Sequence, residues 1–409
     1  MPETIVIIYL IYIFIALYFL FLFTLTFLQN KKEIFSSPKI DKDYSVSVLI
    51  PAFNEEKSIE DTVESVLKSD YKNLVEIIII NDGSSDNTLK IAKKLEEKYS
   101  KVKVFDKENS GKADSLNQAL KIVKGELIAI VDADSFPDKE ALHSMIGYFE
   151  DEKVGAVTTR ILVRNKNNFL RKMQAIEYKV IAFTRKILGF LDSIYVTPGP
   201  LALYRKSALS EIKGFDPKNM TEDIEATWHL IHDGYKVRMS FISKVTTVAP
   251  DTLKKWFTQR IRWNIGGYQT ILKYKHCFFR KGILGLFILP LFSISLVLGV
   301  FGLSLFIYKI SIRILSSYLS TKYSIAAQTA VFVLEDISFN PSILNFLGVI
   351  LFILGLAFVF FALRLVNKHI KEKESFFSVI FYLLVYIVLR PIVLIVSLYK
   401  FLIGKYSWR

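Results

Sequence analysis

Long apolar runs open and close the chain, and between them the hydrophobic positions follow a different rhythm. Thr4 to Leu28 carries no charge and exceeds the roughly 20 residues an α-helix needs to cross a bilayer core. Gly282 to Tyr308 and Asn340 to Leu363 are also charge-free and long enough to span. Ser375 to Leu389 is shorter, and Arg390 and Pro391 interrupt it before apolar residues resume to Tyr399. That stretch reads either as one span with an internal arginine or as a re-entrant pair. From about Tyr44 to Val248, short β-branched runs alternate with helix-like segments. "SVSVLIP" precedes a helix over about Ile59 to Lys68, and "VEIIIIND" one over Asn87 to Glu97. "KVKVF" precedes one over Lys112 to Val123, and "ELIAIVDAD" one over Asp138 to Tyr148. Such alternation predicts an α/β domain with a mainly parallel sheet and helices on both faces. Ligands bind at the carboxyl ends of the strands in such sheets.

Charge sharpens this picture. Glu3 precedes the first apolar run and Lys31 and Lys32 follow it, the reverse of a cleavable signal peptide. A retained anchor is expected, with its N-terminus outside and the next domain in the cytoplasm. A net charge of +14 with 52% hydrophobic residues suits an integral protein of the cell membrane with basic cytoplasmic surfaces. The basic excess clusters beside apolar runs and no nucleic-acid-binding module is recognised, so no nucleic-acid partner is expected. Between Leu253 and Lys281 there are eight Lys or Arg and no Asp or Glu, together with Trp256, Phe257 and Trp263. That mixture predicts an amphipathic helix on the membrane surface. Phe169 to Leu191 has similar character. The single cysteine, Cys277, excludes an intrachain disulfide and any multi-cysteine metal site. The expected division is a transmembrane anchor over 1–30, a cytoplasmic domain over 44–250, interface helices over 251–281 and a membrane region over 282–409.

The chemistry-bearing residues fall at the predicted strand ends. "IVDADSF" puts Asp132 and Asp134 just past a buried strand. Paired carboxylates repel unless a cation or hydrogen bonds offset them. Hard oxygen ligands suit Mg²⁺ or Mn²⁺ shared with substrate phosphates, although such a pair also occurs as a helix cap with acidic company. "IINDGSSDNT" ends its strand with Asp82, and "PAFNEE" places Asn54 and Glu55 equivalently. Turn and capping chemistry accounts for part of both stretches. A carboxylate recognising a nucleobase edge or ribose is the functional reading. "ENSGKADSLNQAL" sets Lys112 at a helix entrance, where it and free backbone amides suit a phosphate. "NMTEDIEATWHLIHDG" reads as a helix capped by Thr221, with Glu222 and Asp223 in its first turn and Gly234 at its end. His229 and His232 receive no role. "TQRIRWNIGG" brings Gln259, Arg262 and Trp263 onto the predicted surface helix, ahead of the membrane.

Taken in order, "PAFNE", "NDGSSDNT", "SGKADSLN", "DADS", "TPGPLALYRKSAL", "TED" and "QRIRW" resemble the processive family-two glycosyltransferases. These include hyaluronan, chitin, cellulose and poly-N-acetylglucosamine synthases. The last look most similar, from "TEDIEATWHL" and "PDTLKKWFTQRIRWNIGG". The resemblance covers roughly Val46 to Gly267. It implies a GT-A domain facing the cytoplasm and an inverting, metal-dependent transfer from a nucleotide sugar, with UDP-N-acetylglucosamine or another UDP-sugar as donor. By the same resemblance Asn54, Glu55 and Asp82 hold the nucleoside. Lys112, Asp132, Gln259 and Arg262 lie with the donor phosphates or sugar. Asp134, with Asp132, binds Mg²⁺ or Mn²⁺, and Asp223 is the base. Trp263 packs beneath the acceptor sugar, with Glu222 on the acceptor side. An aromatic face suits a sugar's C–H surface and a guanidinium suits phosphate.

Only one predicted span precedes the domain and about three follow it, fewer than in the cellulose synthases. An oligomer, a partner protein, or an enzyme that does not polymerise would each reconcile that count. Polysaccharide elongation is the leading expectation. The alternative acceptor is a membrane lipid, such as a polyprenyl phosphate or diacylglycerol, receiving one sugar. A silent sugar-binding scaffold is disfavoured by the intact Asp132, Asp134, Asp223 and Trp263.

Overall fold

The computed structural model describes residues 3–327, 343–370 and 374–406. In chain order, helix α1 (Glu3–Asn30) leads to β1 (Val46–Ala52), α2 (Ile59–Leu67), β2 (Leu74–Asp82), α3 (Thr88–Lys98), β3 (Val102–Lys107), α4 (Lys112–Leu120) and β4 (Leu127–Ile130). Next come β5 (Ser135–Pro137), α5 (His143–Ile146), β6 (Val154–Val163), α6 (Phe169–Phe190), β7 (Ala202–Arg205), α7 (Lys206–Glu211), α8 (Glu222–His232), β8 (Lys236–Thr247) and α9 (Leu253–Tyr274). Helices α10 (Leu289–Ala326), α11 (Ile343–Ile370) and α12 (Phe376–Leu402) follow.

The strands form one sheet in the order β3-β2-β1-β4-β7-β6-β8-β5. Pairings β1/β2, β1/β4, β2/β3 and β6/β8 are parallel, as the apolar runs predict. The antiparallel pairings involve β7 and the short β5. Helices cover both faces. Val63 of α2, Leu95 of α3 and Met145 of α5 share one core cluster with Val48, Ile77 and Leu127. Leu116 of α4, Trp228 of α8 and Phe183 of α6 share the other with Leu49, Ile78 and Ile128. Leu49 lies level with both Ile78 and Ile130. The carboxyl ends of β1, β2 and β4 therefore reach one edge, and the polar residues that follow them gather there. The helix expected over Asp138 to Tyr148 is reduced to α5 and a 3-10 turn over Gly147–Glu150.

Among the described residues, four helices are long and apolar enough to cross a membrane: Val6–Asn30, Leu284–Gly302, Val349–Lys368 and Phe376–Leu402. Phe14 and Phe21 on α1 are 70% and 68% exposed, an apolar surface that a lipid bilayer would cover. Helix α12 runs without a break through Arg390 and Pro391, so a single helix replaces the re-entrant pair considered from sequence. The amphipathic helices form where their composition predicts, as α6 and α9. They join the domain to the apolar helices: Met173 and Ile176 of α6 and Trp256 of α9 pack with Leu363 of α11 and Tyr382 and Tyr386 of α12. A buried ion pair fixes this junction, Arg260 of α9 on Glu177 of α6 at 2.5 Å. The Tyr386 hydroxyl donates to the same carboxylate at 2.9 Å. Farther along α9, Asn264 Nδ2 donates to Ser397 Oγ of α12 at 3.1 Å.

Candidate active site

The site grows from the aligned strand ends. After β1, Asn54 adopts a φ of 58°, and its side-chain oxygen accepts the Ser85 amide at 2.8 Å. The Glu55 carboxylate accepts from Ser58 Oγ at 2.6 Å. Asp82, at the end of β2, is buried. One of its oxygens takes Lys107 Nζ at 2.7 Å and the Ser110 amide at 2.9 Å, and the other takes the Gly111 amide at 2.9 Å. Burial alone would raise its pKa, but Lys107 and the Ser110 amide hold the carboxyl below the usual range. Asp82 thereby pins the loop that delivers Lys112 at the start of α4.

Lys112 ties three elements together. Its Nζ lies 2.7 Å from Asp132 Oδ1, beyond β4, and 2.8 Å from Glu222 Oε1, the first residue of α8. Burial opposes its charge, but Asp132, Glu222 and Asp223 together raise its pKa. Gly199, in the loop before β7, closes over this pair. A Cβ there would stand 2.5 Å from Asp132 Oδ1 and 2.6 Å from Lys112 Nζ, so any side chain would displace the ends of this pair. A small cavity lies among Lys112, Gly199, Glu222 and Asp223.

The two acidic residues that begin α8 are driven apart electrostatically. Both feel burial, but Lys112 and Arg262 hold Glu222 low. Burial and the Glu222 charge push Asp223 up, against Lys112 and Arg262. A carboxylate raised in this way is a better proton acceptor once ionised. Asp134 is also perturbed. Burial and the charges of Asp132 and Glu55 push it up to about 7, with Ser135 and Lys112 pulling the other way. Asp134 feels one nearby ammonium, Lys112, and that ammonium pairs with Asp132 and Glu222. An oxygen-only donor set with excess negative charge fits a hard divalent cation completed by substrate phosphates. Asp134 is a carboxylate that could hold such a cation.

Helix α9 reaches the site from the membrane side. Gln259, Arg262 and Trp263 are three and four residues apart, so they share one helix face. Gln259 Oε1 is buried without a hydrogen-bond partner. The Arg260 guanidinium lies 4.2 Å from the centre of the Trp263 ring and is itself held by Glu177, which braces the indole. At Gly266, α9 meets the start of α8: a Cβ there would stand 2.0 Å from Thr221 Oγ1. The Met220 amide donates to Gln269 Oε1 at 2.8 Å, and Asn219 Nδ2 donates to Thr270 Oγ1 at 2.9 Å. This packing corrects one expectation. Thr221 stands at the N-cap of α8 but makes no side-chain cap; its hydroxyl donates to Asn219 Oδ1 at 3.3 Å. Asp223 Oδ1 instead accepts the Ile224 amide at 2.9 Å.

Lys112, Asp132, Glu222, Asp223 and the charge of Arg262 thus converge, with Glu55 and Asp134 acting on the same carboxylates. Asn54 and Asp82 shape the neighbouring loops. Sequence reasoning assigned nothing to Lys107, Gly199 or Arg260. Gly199 sits in the conspicuous "TPGP" stretch, whereas the other two announce themselves only through their partners. It also passed over Arg185 on α6, a buried cation on which the charge of Asp223 acts.

The sheet, the strand-end carboxylates and the flanking helices define a GT-A-like domain. Residues 47–213 match the sequence profile of Glycosyl transferase family 2. The chain is 35% identical over 260 residues to the poly-beta-1,6-N-acetyl-D-glucosamine synthase of Staphylococcus aureus, covering 63% of this chain and 62% of that protein. It is 36% identical over 231 residues to the synthase of Staphylococcus epidermidis, covering 56% of each. The chain therefore spans about three fifths of the length of the curated relatives it matches. A mannosyltransferase from Pyrobaculum calidifontis, solved with GDP-Man and Mn²⁺, superposes with a TM-score of 0.55 at 21% identity, covering 73% of this chain and 86% of that one. That likeness is one of fold.

Proposed function

We propose that this chain is an inverting membrane glycosyltransferase that elongates a polysaccharide from a nucleotide-sugar donor, with UDP-N-acetylglucosamine as the first donor to test. The observation that carries the reading is the meeting of α8 and α9, where Glu222 holds Lys112 beside Asp132 and the charge of Arg262 acts on the Glu222–Asp223 pair. The synthases of the two staphylococci, matched over this same region, favour a polymer over a single transfer.

In this reading Asn54, Glu55 and Asp82 receive the nucleoside. Lys112 and Arg262 face the diphosphate, and Gln259 offers its unpartnered Oε1 to a donor hydroxyl. Asp223 takes the proton from the acceptor hydroxyl as its oxygen attacks the anomeric carbon. The glycosidic bond forms on the face opposite the leaving nucleoside diphosphate, hence inversion. Negative charge grows on that leaving group, and two fixed cations oppose it without reorganising. A divalent cation held by Asp134, Mg²⁺ or Mn²⁺, adds further charge stabilisation there when bound. Trp263 supplies a flat apolar platform for the acceptor sugar. In this reading the site lies at the cytoplasmic face of the cell membrane with basic α9 along the surface, a placement supported by the apolar helices and the lysines and arginines beside them.

Asp223→Asn tests the reading. It keeps shape and removes the proton acceptor, so transfer should fall at least about a hundredfold while nucleotide binding is retained. Transfer at the wild-type rate would make Asp223 a helix-terminal acid with no part in the chemistry.

A further inference from the structure

Only five histidines and one cysteine occur in the chain, and three of those histidines and the cysteine collect in one place away from the strand ends. His232 is the last residue of α8, preceded one turn earlier by His229. His276 and Cys277 lie in the 3-10 turn Lys275–Cys277 that follows α9. One ligand atom from each of His232, His276 and Cys277 lies within 4.8 Å of the other two, and among the described residues no other such group of three is found. Cys277 is fully buried, and His276 is exposed, so the cluster has a closed thiol side and an open imidazole side.

We infer that His232, His276 and Cys277 form a zinc site. Imidazole nitrogen and thiolate sulfur are the donors Zn²⁺ prefers, at about 2.0–2.3 Å, which brings ligand atoms to roughly 3.5 Å of one another in a tetrahedron. Binding therefore draws these side chains together by about 1 Å, within reach of ring rotation. The surroundings match such a site. His232 Nδ1 is 2.6 Å from Asp233 Oδ1, which leaves Nε2 for the metal. A carboxylate on the far ring nitrogen is the usual partner that orients a metal-bound histidine. The other Asp233 oxygen is 3.6 Å from His229 Nε2, so that histidine steadies the carboxylate. The Tyr274 ring stacks beside His276, with centroids 6.4 Å apart and planes at 30°, and limits its swing. Three protein ligands leave the fourth position to water. The thiol proton is released to solvent as sulfur binds.

The place of the cluster suggests its purpose. Helix α8 begins with Glu222 and Asp223 and ends at His232, so about ten residues of helix, roughly 15 Å, separate the two ends. Zinc is thus distinct from any cation at Asp134. It clasps the far end of the helix bearing Asp223 to the segment joining α9 to the membrane-spanning α10. Gly266 already joins the near end of α8 to α9, so the metal would complete a two-point attachment. This site does not depend on the glycosyl-transfer reading.

The test uses the full chain in detergent, stripped with chelator and titrated with ZnCl₂ in excess Mg²⁺ against a chromophoric competitor. The expected result is one zinc per chain, with affinity reduced at least about a hundredfold in His276→Ala, whose exposed position spares the fold. CoCl₂ should give a near-ultraviolet thiolate-to-cobalt charge-transfer band that Cys277→Ser removes. Zinc at a hundredfold over its Kd should raise the wild-type Tm by roughly 5–10 °C and leave His276→Ala unmoved. Asp134→Ala should bind zinc as the wild type does. No zinc uptake, a cobalt spectrum without the thiolate band, or zinc binding that Asp134→Ala abolishes and His276→Ala spares would overturn the assignment.

Discussion

Replacing Lys112 by methionine removes the one ammonium that bridges Asp132 and Glu222 while keeping the length of the side chain. Glu222 is only 3% exposed and loses a partner at 2.8 Å. Stranding one member of a buried ion pair costs about 3–5 kcal/mol. Two features place this case near the lower figure. The Lys112 and Asp132 side chains are 23% and 29% exposed, so water reaches one side of the bridge, and Arg262 still acts on Glu222. About 3 kcal/mol corresponds to a Tm lower by roughly 6–12 °C in a domain of this size. The pH dependence gives the sharper signature. In the wild type the Glu222 pKa is depressed on folding, so its stabilisation is present above the unfolded value and lost as pH falls through the folded one. Without Lys112, burial dominates and the folded pKa rises. The penalty is then full at pH 8 and fades as pH falls through that raised value. Thermal unfolding in detergent, followed by tryptophan fluorescence at pH 8 and pH 5, measures both effects. Lys112→Met/Glu222→Gln should recover most of the loss, because the stranded charge is gone. A Tm drop under about 2 °C at pH 8, or a double variant as unstable as the single, would refute the reasoning.

Two further outcomes follow from the same geometry. Gly266→Ala drives a methyl group to 2.0 Å from Thr221 Oγ1; overpacking of this kind costs about 1–3 kcal/mol. It should also shift the first turn of α8, lowering transfer more than nucleotide affinity, and a wild-type rate in a steady-state assay would contradict this. Asp223 must be ionised to accept a proton, and burial beside Glu222 raises its pKa. The rate at saturating donor should therefore climb with pH towards neutrality, above the range of an ordinary carboxylate. A flat profile from pH 5 to 8 would remove Asp223 from the base role.

Much of this architecture can be read along the chain, for identifiable reasons. Strands β1, β2 and β4 are largely buried on both faces, so they appear as near-continuous apolar runs, interrupted by Ser47 and Glu76, and the polar residues after them mark the ligand edge. The apolar helices are legible for the same reason: lipid tolerates few charges over a long stretch. Strand β7 is four residues long, too short for any period to show, and it supplies the antiparallel neighbour of β4. Strand β6 carries the buried Thr158, Thr159 and Arg160, which together break its apolar run. The motif residues at strand ends stand out as polar interruptions. Lys107 is one lysine among many until β3 sets it beside Asp82. Gly199 and Gly266 are ordinary glycines until another element presses on them. Thr221 illustrates the opposite failure: its sequence context fits a cap, but the arrival of α9 gives its hydroxyl other work.

The central claim is that one active site adds many sugars to one acceptor, and product length tests it most directly. Purified full-length chain is incubated with UDP-N-acetylglucosamine and Mg²⁺ or Mn²⁺, and the products are resolved by mass spectrometry beside a nucleotide-binding titration. An aromatic platform grips each new terminal sugar alike, and ring stacking contributes about 0.5–1.5 kcal/mol beyond buried area, judged from aromatic pairs. A ladder of oligomers is expected from the wild type, collapsing in Trp263→Ala while nucleotide binding persists. A wild-type product carrying a single added sugar on a lipid, across a panel of nucleotide sugars, would contradict polymerisation and establish the single-transfer reading in its place.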